Sequence, residues 1–97
     1  MDLRSVETMT TEFEADLDPD MGWPRVRFNF SNGWSASVVL RTRPDRDPTR
    51  AMQSSLACCP TGKWSTGATE IGETEATADE VAIYLATVAG RPVLDPL

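Results

Sequence analysis

The segment from Arg25 to Leu40 constrains the fold more than any other part of the chain, because it reads as two alternating strands around a tight turn. Arg25-Val26-Arg27-Phe28-Asn29-Phe30 places Val26, Phe28 and Phe30 on one side, and Trp34-Ser35-Ala36-Ser37-Val38-Val39-Leu40 places Trp34, Ala36, Val38 and Leu40 on one side. The Asn32-Gly33 dipeptide favours a two-residue hairpin turn. That register sets Phe30 against Ser35 and sends the two apolar rows to opposite faces of the ribbon. A three-residue loop, Ser31-Asn32-Gly33 with Gly33 left-handed in a bulge, instead sets Phe30 against Trp34, Phe28 against Ala36 and Val26 against Val38. All the large apolar residues then share one face, and the longer loop is predicted.

Upstream, Val6, Met9, Phe13 and Leu17 stand near helical spacing, but Met9, Thr11, Phe13, Ala15 and Leu17 also alternate with Thr10, Glu12, Glu14, Asp16 and Asp18. The period of two is preferred. A strand antiparallel to residues 25–30, returning through Pro19–Pro24, matches apolar row to apolar row and sets its acids opposite Arg25 and Arg27. Residues 41–50, with two prolines and no periodicity, read as a loop. Ala51–Cys59 reads as a fourth strand halted by Pro60, then a turn at Pro60-Thr61-Gly62-Lys63 and a weaker strand from Trp64 to Ile71. Thr77-Ala78-Asp79-Glu80 fits a capping box, Val81, Tyr84, Leu85 and Val88 form one buried helical stripe, and Gly90 followed by Pro92 suggests a left-handed stop. The expected fold is α+β in a single domain, 1–97: an antiparallel sheet of three to five strands, hairpin 25–30/34–42 central, with one C-terminal helix over about 78–89 packed on one face.

Charge is unevenly spread. The total is −6, but residues 1–24 carry −6, residues 25–50 carry +4 and residues 51–97 carry −4. Overall acidity argues against direct nucleic-acid binding and for a partner with a basic surface. No apolar run approaches the ~20 residues of a membrane span, and Met1-Asp2-Leu3-Arg4 lacks the basic-then-apolar order of a secretory signal, so the expected location is cytoplasmic. Cys58 and Cys59 are adjacent and cannot staple a loop, so two reduced thiols are expected in a strand, one facing in and one out, with a vicinal redox element as the less favoured reading.

Histidine is absent, which removes the commonest general base and the usual triads, and Lys63 is the only lysine. Pro60-Thr61-Gly62-Lys63 lacks the first glycine of a phosphate loop, and Asp18-Pro19-Asp20 lacks the order of a calcium loop. No enzymatic activity, cofactor or metal is expected. The first functional expectation is an acidic interaction protein or inhibitor that occludes a basic, nucleic-acid-binding surface of a protein. Glu12, Glu14, Asp16, Asp18 and Asp20 are its candidate contacts, with Glu70, Glu73 and Glu75 as a second cluster. In size, acidity and absence of catalytic apparatus the chain resembles the general profile of small phage or mobile-element inhibitors. The alternative is a binder of a small anionic or nucleotide ligand at a dimer interface, through Arg41, Arg43, Arg46 and Arg50 with Trp23 or Trp34 for stacking. Exposed strand edges make a homodimer a further expectation.

Overall fold

The computed structural model describes residues 12–41 and 53–94. Strands β1 (Glu12–Leu17), β2 (Pro24–Asn29), β3 (Trp34–Arg41), β4 (Gln53–Pro60) and β5 (Glu70–Ile71) form one antiparallel sheet in the order of the sequence, followed by helix α1 (Ala78–Ala89). The α+β expectation holds, with β3 at the centre of the sheet.

The hairpin register is the one the apolar rows demand. Val26 stands opposite Val38 and Phe28 opposite Ala36. The Phe30 amide donates to the Trp34 carbonyl at 2.8 Å, and Gly33 has φ of 88°, the left-handed conformation a side chain would strain. Along β1, Phe13 faces Phe28 and Ala15 faces Val26, while Glu14 faces Arg27 and Asp16 faces Arg25. The described part of the upstream segment is therefore strand, not helix, and its acids share a face with the β2 arginines. We call this polar side the back face and the apolar side the front face.

Helix α1 lies on the front face, over β3 and β4. Its capping box is formed: the Glu80 amide donates to Thr77 Oγ1 at 3.3 Å, and the Thr77 amide donates to Glu80 Oε1 at 3.1 Å. Val88 is buried against Ala36 and Cys58, and Val81, Tyr84 and Leu85 pack beside Val38, Leu56 and Ala76. Gly72 permits this packing on the far side. A Cβ there would sit 2.8 Å from the Tyr84 ring, so only glycine lets the ring lie against the chain leaving β5.

Three expectations need correction. Gly90 is not left-handed, with φ of −90°. The helix end is capped from a distance instead: Asn32 Nδ2 donates to the carbonyls of Val88 at 2.9 Å, Ala89 at 3.2 Å and Arg91 at 3.1 Å. These satisfy carbonyls that a helix terminus leaves without intrahelical partners, which removes the need for a left-handed glycine. Next, Trp64–Thr69 is not strand but a series of turns, and only Glu70–Ile71 pairs with β4. Ser65 has φ of 62°, and the hydroxyls of Thr66 and Thr69 both donate to the Lys63 carbonyl, curling the segment on itself. Last, both cysteines are buried, Cys58 under α1 and Cys59 on the back face, at 1% and 0% exposure. The curled 61–69 segment folds across that face, so no outward position remains for Cys59.

Asn32 is itself buried, and its Oδ1 accepts from the Trp34 amide at 3.0 Å. Asn32→Ala removes the amide that reaches three carbonyls and is expected to cost about 1–3 kcal/mol of unfolding free energy, read by urea denaturation. A change within a few tenths of a kcal/mol would show that water replaces the cap without loss.

Candidate functional site

The sequence nominated eight carboxylates, and the geometry divides them by what each one touches. Asp16 is held in a two-pronged pair with Arg25, at 2.8 Å from Nε and 2.6 Å from Nη2. The Arg25 bond holds the Asp16 carboxyl below its ordinary value, outweighing the opposing effect of desolvation. Glu70 is gripped in the same way by Arg91, at 2.9 and 3.1 Å, and is likewise lowered. A lowered folded-state value means that each pair contributes above the usual carboxylate range and fades as pH falls through that lowered value. Glu75 stands 3.6 Å from Arg41. Asp18 turns inward, its Oδ1 accepting from the Met21 amide at 2.7 Å to fix the β1–β2 turn.

Glu12 and Glu14 differ from these. Both are exposed on β1, and neither has an ion-pair partner among the described residues. Glu14 is opposite Arg27 in register, but the Arg27 guanidinium sits over the Trp64 ring at 4.6 Å instead. Beneath it lies a bed of small residues: Ser37 is its cross-strand neighbour, Ser37 faces Ala57, and Ser35 faces Cys59. That bed leaves room for the cation to sit over the indole, a contact worth about 0.5–2 kcal/mol. Arg41 is engaged by other groups than the β1 acids: the Thr74 carbonyl, Glu75 and the Trp23 ring 5.4 Å away. Of the three back-face arginines among the described residues, Arg25 alone forms an ion pair with the acidic strand.

Asp20, in the exposed β1–β2 turn, has no ion-pair partner among the described residues either. Glu73 lines a cavity of about 260 Å³ beside α1, with Leu56, Glu80, Ile83, Tyr84 and Thr87. Glu12 and Glu14 thus stand along β1, and Asp20 lies in the turn beyond its far end. Glu70 and Glu73 lie at β5 and beyond it, on the other side of the sheet, so the two acidic clusters are not one surface.

For the arginine-loop alternative, Arg43, Arg46 and Arg50 lie outside the described residues. Trp23 and Trp34 are not brought together: Trp23 meets Arg41 on the back face, whereas Trp34 points to the front and carries Arg91 over its ring at 4.3 Å.

The signal missed in the sequence is the apolar half of β1. Phe13 and Leu17 point to the front face, are 68% and 65% exposed, and are joined by Met21 at 62% in the following turn. Phe13 touches Phe28, whose ring stacks on Phe30 at 6.2 Å, and α1 does not reach this strip. The signal was there: five strands cannot be covered by one helix with a single apolar stripe.

Among the described residues no group of three or more Cys, Asp or Glu side chains gathers as a metal site, and no helix is long and apolar enough to cross a membrane. Comparison with family models, curated proteins and solved structures finds no match to this chain. The site is therefore read from its own geometry.

The buried thiols bear on the redox reading. Burial pushes the Cys59 thiol up, away from the reactive thiolate. Tyr84 is raised too, by burial first and then by the nearby Cys58. Neither thiol should react with a disulfide reagent on mixing with the native protein, and both should react after unfolding in guanidinium. A thiol consumed at the rate of a free cysteine in the native state would reopen the redox reading.

Proposed function

We propose that this chain is a non-enzymatic interaction protein that presents the acidic edge of its sheet to a basic surface on a protein partner. It acts by occlusion: its carboxylates stand where phosphates would bind, as a small inhibitor of phage or mobile-element type would place them. The observation that carries the reading is the division among the acids. Asp16, Glu70 and Glu75 are occupied by arginines, while Glu12 and Glu14 project from an exposed strand with no cation of their own among the described residues. An arginine stood directly opposite Glu14 and is spent on Trp64. The lack of histidine supports a binding role over a catalytic one.

The anionic-ligand reading has less support, because Arg41 already serves a carbonyl, a carboxylate and an indole.

Glu12→Lys/Glu14→Lys tests the proposal without breaking the Arg25–Asp16 pair. The wild-type chain should retain basic proteins from its source cell at low salt and release them at about 0.5 M, where screening shortens to a few ångströms. The double variant, with an unchanged melting temperature, should retain none of them. Equal capture by both chains would overturn the proposal.

A further inference from the structure

The edge strand asks for more than positive charge. Among the described residues β1 ends the sheet, so one side of its backbone lacks a neighbouring strand. Its two faces are both exposed and chemically opposite: Glu12 and Glu14 on the back, Phe13 and Leu17 on the front. A strand laid along this edge would meet both rows at once, because residues opposite one another in a sheet share a face.

The complement to these rows is already present inside the molecule. β2 pairs with the other side of β1, and it alternates Arg25 and Arg27 with Val26 and Phe28. That pattern meets acids with bases and apolar side chains with apolar side chains.

A second copy of β1 does not have it. An antiparallel pairing centred on Glu14 sets Glu14 against itself and Glu12 against Asp16, and one centred on Ala15 sets Glu14 against Asp16. A shift by one residue drives carboxylates onto the apolar face. Like charges directly opposite destabilise a strand pair, so the acidic row guards the edge against its own kind.

We infer that β1 is a docking edge for an extended segment of a partner protein in which basic and apolar residues alternate, added to the sheet as a sixth strand. The inference rests on the basic-partner reading above and specifies its geometry. Backbone hydrogen bonds supply the docking, and the two side-chain rows supply the selection.

The test uses the full chain and a synthetic peptide copying its own residues 24–30, with blocked ends, in isothermal titration. Two control peptides accompany it, one with both arginines replaced by glutamate and one N-methylated at alternate residues along one backbone edge. The plain peptide should bind, and each control should bind about tenfold or more weakly, the first for lost charge complementarity and the second for lost backbone bonds. Equal binding of the plain and N-methylated peptides would overturn strand addition while leaving the basic-partner reading intact. Equal binding of the plain and glutamate peptides would overturn both. Binding by none of the three would overturn strand addition, with the basic-partner reading then decided by the charge-reversal capture.

Discussion

The amide of Asn32 holds the two halves of this molecule together. It sits at the tip of the β2–β3 hairpin, buried, and reaches the last carbonyls of a helix more than fifty residues away in sequence. The same tip is tied down by two further backbone bonds, from the Leu94 amide to the Asn32 carbonyl at 2.8 Å and from the Thr61 amide to the Gly33 carbonyl at 2.9 Å. Gly33 must be left-handed to present these groups, and a Cβ there would press on Leu94 at 3.2 Å. The hairpin tip thus fixes where α1 ends, and the Thr77 capping box fixes where it begins.

With both ends set, the helix has no freedom in which strands it covers. Its single apolar stripe meets β3 and β4. Strands are spaced about 4.8 Å apart and a helix with side chains is about 10 Å across, so one helix covers about two strands. Among the described residues nothing covers β1 and the outer part of β2 on the front, where Phe13 and Leu17 are exposed. On the back face the 61–69 segment supplies the cover that a second helix would give, with Trp64 over Arg27 and Ser35 bonded to Thr61 at 2.8 Å. That cover also stops short of β1. The open edge is therefore a consequence of how the core is closed.

Much of this was legible in the residues. The β2–β3 register followed from requiring Val26, Phe28 and Phe30 to share a face with Ala36 and Val38, a constraint that a slip of one residue violates completely. The strand at β1 and the capping box were legible because each is local or meets a neighbour only a short turn away. What escaped was long-range. Nothing near Gly90 announces that Asn32 will cap the helix, so a local stop signal was inferred where a distant one operates. Alternation puts one of the two cysteines outward, yet Cys59 on the back face is buried as well, because a later segment crosses it. Among the acids, the alternation correctly set the β1 carboxylates opposite Arg25 and Arg27, and the register resolves this into Asp16 against Arg25 and Glu14 against Arg27, but facing positions do not decide which arginine forms the pair. Arg27 prefers an indole contributed by a segment the sequence reads as strand.

The central claim is that β1 stands as an open edge beside a closed core, and native-state amide hydrogen exchange measured residue by residue tests it most directly. Protection should be highest in β3 and β4, lower in β2, and alternating along Glu12–Leu17, where every second amide has no neighbouring strand among the described residues and exchanges as in a free chain. Uniform protection of all the β1 amides, at the level of β3, would mean that this edge is already occupied and would contradict the account.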